Sequence, residues 1–253
     1  IDDSILSKLP NLKVIGKYGV GLDMIDLHAM KDRGVKLGWT GGVNKRSVSE
    51  LVISFSVYLL HRVAFANAEV RNGEWYQVKG RQLSDCTFGI VGCGHVGKDL
   101  VKLLKPFGCN ILAHDIIDFK EFYQENNITS VGLDELLQKS DVVTLHLPKN
   151  DSTNNILNKD RLQMLKKDAI LINLARGGLL DESALKKILS EKNIAGAALD
   201  VFSVEPPIDT DFAHLDNVLI TPHIGGSTEE AILAMGLAAI DGLKNPKNPL
   251  KFL

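Results

Sequence analysis

The chain has 253 residues, 45% of them apolar, which is enough for one large α/β domain or two modest ones. Its formal net charge of −2 provides no basic field, so neither nucleic acid nor an anionic membrane is expected as a partner. The cysteines at 86, 93 and 109 lack Cys-x-x-Cys spacing, and no run of 18 apolar residues occurs. We therefore expect a cytoplasmic protein with no membrane span and no metal site.

Residues 1–43 carry a short α/β pattern of their own. Its elements are a strand over 12–15, a glycine turn at Gly19-Val20-Gly21, a helix over 26–33 and a strand over 35–39. Two βα units expose too much apolar surface to be stable alone. We expect the C-terminal helix over 227–243 to return to them, with one long helix over 47–66 connecting to the rest of the chain.

From residue 87 onward, short β-branched runs alternate with amphipathic helical patterns. The predicted strands are 87–91, 110–114, 141–145, 169–173, 195–199 and 218–220. The predicted helices are 95–107, 133–139, 160–165 and 181–191. Because helical crossovers join parallel strands, this alternation predicts an α/β fold with a doubly wound parallel sheet.

A glycine motif, Gly92-Cys93-Gly94-His95-Val96-Gly97, follows the first of these strands and opens the next helix. In such a motif the first glycine permits a tight turn, the second lets a pyrophosphate approach the backbone, and the third allows close packing of helix and strand. The helix N-terminus adds free N–H groups and a positive dipole. The alternative interpretation is an ordinary strand-to-helix turn, but this context favours dinucleotide binding.

Asp115 ends the strand that follows the glycine motif. A carboxylate at this position can accept hydrogen bonds from the hydroxyls of the adenosine ribose, and it repels a 2′-phosphate. The sequence therefore predicts NAD as the cofactor in preference to NADP. A surface turn residue is the alternative interpretation of Asp115.

Three further segments place reactive side chains beside glycine or proline directly after strands, where ligands meet open α/β sheets. Arg176 precedes Gly177 and Gly178, which we expect to leave its guanidinium accessible to a carboxylate. Glu205 precedes a double proline that could aim its carboxylate at an imidazole. His223 can take and return a proton near neutral pH, although a lone histidine is more often a core or surface residue.

Taken in order, these motifs resemble the D-isomer-specific 2-hydroxyacid dehydrogenase family, and within it most closely the D-3-phosphoglycerate dehydrogenases. The segments that carry the resemblance are Gly19-Val20-Gly21-Leu22-Asp23, the glycine motif at 92–97, residues 173–181, residues 197–202 with Glu205-Pro206-Pro207, and residues 222–228. They extend over nearly the whole chain, and the ordered series is far more specific than any single motif.

The resemblance implies a mechanism. His223 would be the general base that takes the proton of the substrate hydroxyl as hydride moves from C2 to the nicotinamide. Glu205 would hydrogen-bond the other imidazole nitrogen, and Arg176 would bind the substrate carboxylate and polarise the carbonyl that forms. The backbone N–H groups of Gly19, Val20 and Gly21 would bind the same carboxylate.

The resemblance also implies the remaining cofactor contacts. The predicted contacts are Gly92, Gly94, His95, Val96 and Gly97 for the pyrophosphate, Leu147 and Pro148 beneath the adenosine, Asp200 for the nicotinamide carboxamide, and Leu174, Ala175, Arg176, His223, Gly225 and Gly226 around the nicotinamide. Asp200 could instead cap the turn after its strand.

The implied domains are a Rossmann NAD-binding domain over 44–227 and a discontinuous flavodoxin-like substrate domain over 1–43 and 228–253, with a homodimer formed through the NAD domain. The front part of the family's substrate domain has no counterpart before Ile1, so a cofactor-binding remnant without full activity is one alternative. An NAD-sensing protein similar to the carboxy-terminal-binding corepressors is another. Formate dehydrogenase and an NADP-linked glyoxylate reductase are further enzyme alternatives, and Asp115 disfavours the latter.

Overall fold

A computed structural model describes residues 1–208 and 211–252, in which the chain forms two units. The small unit contains Ile1–Ser47 and Gly226–Leu253, and the large unit is Val48–Gly225. The chain therefore crosses from one unit to the other twice. The predicted functional labels of these two parts, substrate domain and NAD-binding domain, stay predictions.

In the described part of the chain the helices are α1 Asp3–Leu6, α2 Leu27–Asp32, α3 Lys45–Leu60, α4 Val63–Arg71, α5 His95–Leu104, α6 Lys120–Glu125, α7 Leu133–Lys139, α8 Lys159–Leu162, α9 Glu182–Ser190 and α10 Glu229–Lys244. The strands are β1 Val14–Gly16, β2 Lys36–Gly38, β3 Thr87–Val91, β4 Asn110–His114, β5 Thr129–Ser130, β6 Val142–Leu145, β7 Ile170–Asn173, β8 Gly196–Leu199 and β9 Val218–Ile220.

The large unit is built on a seven-stranded sheet in the order β5-β4-β3-β6-β7-β8-β9. Every ladder in this sheet is parallel. Strands β6, β7 and β8 are buried along their whole length, because one apolar cluster covers each face of the sheet. The predicted doubly wound parallel sheet is confirmed.

The strand order reverses between β3 and β6. β3 pairs with β4 on one side and with β6 on the other, and the register places Val91 opposite both His114 and Leu145. The carboxyl ends of these three strands therefore lie at one edge, with Gly92 directly after Val91. Such a switch point is where open α/β sheets bind ligands.

The small unit has a two-stranded parallel sheet in which Val14 lies opposite Lys36. Helix α10 packs on both strands, and the contact is so close that a methyl group on Gly38 would overlap the backbone of Gly242. A small apolar cluster lies around Met30 and Leu37, both fully buried. The prediction that the C-terminal helix packs on residues 1–43 is confirmed by the contacts of α10 with β1 and β2.

The prediction of one helix over 47–66 is wrong. The segment forms α3 and α4, whose axes differ by 60°, and Arg62 between them has a left-handed backbone with φ of 54°. The last carbonyl of α3, on Leu60, accepts a hydrogen bond from the N–H of Arg81, so a distant segment ends the helix. No single helix in the described ranges has the length and composition to cross a membrane; only this bent pair, taken together, meets that test.

Candidate active site

The glycine motif forms a tight connection between β3 and α5. Gly92 has φ of 94°, and a methyl group on it would lie 2.6 Å from the carbonyl oxygen of His146. A methyl group on Gly97 would overlap the carbonyl oxygen of Gly92, so helix and strand pack in contact there. Gly94 has open space around it instead. The first and third glycines thus serve the packing, and the second leaves room for a ligand.

The N-terminus of α5 can receive an anion. Gly94 is the N-cap of this ten-residue helix and offers no side chain to its first N–H groups. His95 is exposed beside it and Val96 is half-buried. Unsatisfied N–H groups and the positive end of the helix dipole favour a phosphate at this position. Together with the space at Gly94, these features fit the pyrophosphate of a dinucleotide.

Asp115 lies beside the glycine motif. Its carboxylate accepts hydrogen bonds from the N–H of Cys93 at 2.6 Å and from the N–H of Ile117 at 2.9 Å. It is half-buried, and each oxygen retains a lone pair beyond these two bonds. Burial raises the pKa of the Cys93 thiol to about 11, so this cysteine stays protonated and unreactive.

Leu147 and His146 follow β6 and border the same loop. A methyl group on Gly92 would lie 2.9 Å from the Leu147 side chain, and Pro148 after it is exposed. Desolvation lowers the pKa of His146 to about 3, and its Nε2 lies 3.1 Å from the hydroxyl of Thr144. The His146 imidazole beside Gly92 is therefore neutral at neutral pH.

The loop after β7 carries Arg176. The buried side chain of Asn173 holds it, since its amide nitrogen donates to the Arg176 carbonyl at 2.9 Å and its oxygen accepts from the Ala175 N–H at 3.1 Å. The Arg176 guanidinium donates to the Ala175 carbonyl at 2.6 Å and is half-buried. Sequence reasoning did not give Asn173 this role, although a polar residue ending a buried strand is a signal for it.

Gly177 and Gly178 have a structural role, and the expectation that they leave the Arg176 side chain open to a ligand stays a prediction. Gly177 is buried, and a methyl group on it would overlap the Phe202 carbonyl and the Ser203 nitrogen. Gly178 has φ of 79°, which favours glycine for its backbone. Glycine is needed here because the loop of Arg176 packs directly against the loop after β8.

His223 and Glu205 form a hydrogen-bonded pair. The Glu205 carboxylate lies 2.8 Å from Nδ1 of His223 through one oxygen and accepts from the Phe202 N–H at 3.1 Å through the other. The side chains are 48% and 38% exposed, so the pair remains open to a ligand. The Nδ1 proton is thereby directed toward the carboxylate, and Nε2 is left as the acceptor.

Asp200 holds the loop that carries His223. Its buried carboxylate accepts from the Thr221 hydroxyl at 2.5 Å, the Ile224 N–H at 2.7 Å and the Gly225 N–H at 2.8 Å. Its carbonyl accepts from the His223 N–H at 2.9 Å. These bonds support the left-handed backbone of His223, with φ of 55°. The carboxylate thus caps the loop after β9 and not, as the alternative interpretation had it, the turn after its own strand. The nicotinamide contact stays a prediction.

The remaining predicted residues divide between the units. In the large unit, buried Leu174 borders Gly225, with Ala175 half-buried beside it. Gly19, Val20 and Gly21 lie in the small unit after β1, where Gly19 has φ of 91°. Gly226 also belongs to the small unit, packed against Asn44.

A separate cavity of about 370 Å³ opens at the opposite edge of the large unit's sheet. Ile170 begins β7 and Asn217 directly precedes β9, so this cavity lies at the amino ends of the strands. Arg62, Phe65 and Lys79 border it. It is on the far side of the sheet from the loops that carry Arg176, Glu205 and His223.

The comparisons with known proteins agree with the geometry. Residues 53–225 match the model of the D-isomer specific 2-hydroxyacid dehydrogenase, NAD binding domain. A D-3-phosphoglycerate dehydrogenase of Methanocaldococcus jannaschii is 39% identical over 243 residues, covering 95% of this chain and 46% of that enzyme. A hydroxypyruvate reductase of Thermotoga maritima is 36% identical over 236 residues, covering 91% of this chain and 76% of that enzyme.

Solved structures agree as well. A D-lactate dehydrogenase of Aquifex aeolicus, crystallised with NAD and lactic acid, superposes with a TM-score of 0.89 at 29% identity, covering 96% of this chain and 79% of that one. The chain spans about half the length of the phosphoglycerate dehydrogenases it matches. It belongs to the D-isomer-specific 2-hydroxyacid dehydrogenase family and contains that family's NAD-binding domain.

Proposed function

We propose that the protein is an NAD-dependent oxidoreductase that oxidises C2 of a small D-2-hydroxy acid and reduces the corresponding 2-oxo acid. The observation that carries this proposal is the 2.8 Å pair between His223 and Glu205. Glu205 follows β8 and His223 follows β9, so the pair lies in the same unit and at the same carboxyl edge of the sheet as the glycine motif. A proton acceptor and a dinucleotide loop at one sheet edge suit hydride transfer.

The glycine motif and Asp115 would hold NAD, which would supply the acceptor for the hydride from C2. Nε2 of His223 takes the proton of the C2 hydroxyl in that direction and returns it when the 2-oxo acid is reduced. Glu205 keeps the Nδ1 proton and so fixes the tautomer in which Nε2 can accept. It also stabilises the imidazolium once Nε2 is protonated, because the carboxylate then faces a positive ring.

Arg176 holds the substrate carboxylate in this proposal. Its planar guanidinium can donate two parallel hydrogen bonds to a carboxylate, and its charge favours the oxygen that becomes the carbonyl. The clamp that Asn173 forms on the backbone holds this loop in place. The predicted contribution of the N–H groups of Gly19, Val20 and Gly21 to carboxylate binding stays a prediction.

The test measures formation of NADH from a panel of 2-hydroxy acids, with NAD affinity measured separately by calorimetry. His223→Ala should lower kcat by about 10³-fold, and Arg176→Ala by about 10²-fold with a raised KM. NAD affinity should change far less than kcat in either variant. His28→Ala, an exposed histidine of the small unit, is the matched control and should keep the wild-type rate. A wild-type protein that binds NAD but turns over no acid would contradict the proposal.

For the substrate we propose 3-phosphoglycerate. The support is that relatives from four organisms, 35–39% identical, carry the name D-3-phosphoglycerate dehydrogenase. A glyoxylate reductase is 39% identical as well, so identity alone does not decide between them. Other relatives are named for hydroxypyruvate and glyoxylate, so glycerate and glycolate belong in the same panel. The acid with the highest kcat/KM is taken as the preferred substrate. A kcat/KM for 3-phosphoglycerate below those of the unphosphorylated acids would overturn this choice.

We also propose that the protein is cytoplasmic and forms a homodimer through the large unit. None of the side chains of helix α4 is fully buried. Val70 on this helix is 50% exposed, and Trp75 and Tyr76, which follow it, are 81% and 58% exposed. Exposed aromatic side chains of this kind are typical of interfaces. Sedimentation should give about twice 27.7 kDa, and Trp75→Lys should give the monomer. A monomeric wild type at micromolar concentration would contradict the dimer.

A further inference from the structure

The two loops that carry Arg176 and Glu205 are joined at Ser203. This residue follows β8, and both its N–H and its hydroxyl donate to the same oxygen of Glu182, at 2.6 and 2.8 Å. Glu182 is the first residue of α9, in the connection that follows β7. The carboxylate therefore reaches from one loop connection to the other.

A second contact between the same loops is made by backbone alone. Gly177, next to Arg176, packs against the Phe202 carbonyl and the Ser203 nitrogen, where a side chain would overlap. The Glu182 carboxylate and the Gly177 backbone thus both contact the Phe202-Ser203 segment. Both contacts belong to the large unit.

Packing contributes little to holding the loop beyond this segment. Ser203 and Glu205 are exposed, and Val204 is 54% exposed. A cavity of about 210 Å³ opens beside the segment, bordered by Glu182, Ser203 and Phe212 among others. Without side-chain packing, directional hydrogen bonds have to set the position of the loop.

The position of the segment determines how Glu205 is aimed. One Glu205 oxygen accepts from the Phe202 N–H at 3.1 Å, and the other lies 2.8 Å from His223 Nδ1. Because Phe202 directly precedes Ser203, a displaced Ser203 would turn the Phe202 N–H that orients Glu205. The chain of contacts therefore runs from Glu182 through Ser203 and Glu205 to the imidazole.

We propose that Glu182 is a positioning residue of the active site: by holding Ser203 it aims Glu205 at His223. This inference rests on the proposed function for its kinetic consequences. Its first-turn location suits the role, since the dipole of α9 favours a carboxylate there. Glu182 is expected to act through Ser203, whose N–H and hydroxyl both donate to its carboxylate.

The test uses the full chain with Glu182→Ala, Glu182→Gln and Ser203→Ala, and with Glu191→Ala as the matched control at the other end of α9. Two readouts are measured: kcat as a function of pH, and the ¹⁵N chemical shifts of the His223 ring, assigned with His223→Ala. The ring shifts report the fraction of imidazole with its proton on Nδ1, and they require no turnover.

Glu182→Ala should lower kcat by about tenfold with little change in NAD affinity. The ¹⁵N shifts of its His223 ring should move toward the tautomer with the proton on Nε2. Glu205→Gln, which removes the carboxylate from Nδ1 directly, is measured beside it and should move the shifts in the same direction. Glu182→Gln keeps an oxygen acceptor and should recover most of kcat, Ser203→Ala should fall between, and Glu191→Ala should match the wild type. The kcat of Glu182→Ala should stay below that of the wild type at every pH measured.

Two results would overturn the proposal. One is wild-type kcat and ring shifts in Glu182→Ala, and the other is a loss of kcat in that variant with unchanged ring shifts. If the wild type itself turns over no hydroxy acid, the proposed function fails. The ring shifts then still decide whether Glu182 positions the Glu205 and His223 pair.

Discussion

The two units of the chain differ in how completely their apolar cores are covered. In the large unit a seven-stranded sheet is covered on both faces, and its central strands are buried along their length. In the small unit two strands carry one long helix and a small apolar cluster. Ten of the twenty large apolar side chains exposed in the described residues belong to the small unit, which is under a third of the chain.

Helix α10 illustrates the difference. Leu233, Leu237 and Ile240 follow each other at helical spacing and are 62%, 57% and 55% exposed, while the opposite face of the helix contacts β1 and β2. In the large unit, helix α5 buries Leu100, Val101 and Leu104 instead. The loops with Arg176, Glu205 and His223 are all carried by the unit whose core is closed. Fixed strands there allow hydrogen-bond partners to be positioned within fractions of an ångström.

Of the substitutions that distinguish the two units, Gly38→Ala is expected to have the largest effect on stability. The added methyl group would overlap the backbone of Gly242, so β2 and α10 must move apart. We expect a loss of about 3 kcal/mol in the stability of the small unit, since the overlap is with backbone atoms that cannot change rotamer. Hydrogen exchange followed by mass spectrometry should show faster exchange over β1, β2 and α10 and unchanged exchange over β3 and β6.

The matched control is Gly236→Ala, in the same helix. A methyl group there meets nothing within 4 Å, and alanine has the higher helix propensity, so this variant should be neutral or gain up to about 1 kcal/mol. Equal acceleration over β3 in Gly38→Ala would mean that the two units unfold as one. The comparison between the units would then be wrong.

The fold of the large unit could be predicted because its strands are continuous apolar runs between clear turns. The predicted bounds of β3 and β4 agree with the structure. Strand β5 was missed because it has only two residues, Thr129 and Ser130, and both are exposed at the sheet edge. The break between α3 and α4 was missed because it depends on a hydrogen bond from Arg81, which local periodicity cannot reveal.

For the candidate site, the sequence predicted which residue types lie at the sheet edge but not how they are held. Arg176, Glu205 and His223 stand out because each is flanked by glycine or proline after a strand. The supports could not be predicted, because they join residues distant in sequence. Glu182 and Ser203 are 21 positions apart, and Asp200 and Gly225 are 25 apart. Only the packing of one loop on another brings such partners together.

The smallest effect is expected from His146, whose titration reports on the large unit alone. Desolvation lowers its pKa from the usual 6.5 to about 3, so the unfolded chain binds a proton that the folded unit does not. The free energy of unfolding therefore has its full value above pH 6.5 and decreases as the pH falls from 6.5 toward 3. Between pH 7 and pH 5.5 the free energy of unfolding should decrease by about 1 kcal/mol from this group.

His146→Gln should remove that part of the pH dependence while keeping an amide near the Thr144 hydroxyl, which now lies 3.1 Å from the imidazole. Urea unfolding followed through hydrogen exchange over β3 and β6 measures it at both pH values. His28→Gln changes an exposed histidine of the small unit and should leave the exchange over these strands as in the wild type. If His146→Gln keeps the wild-type pH dependence, the ring is solvated, and the loop at Gly92 is less closed than the rest of the large unit.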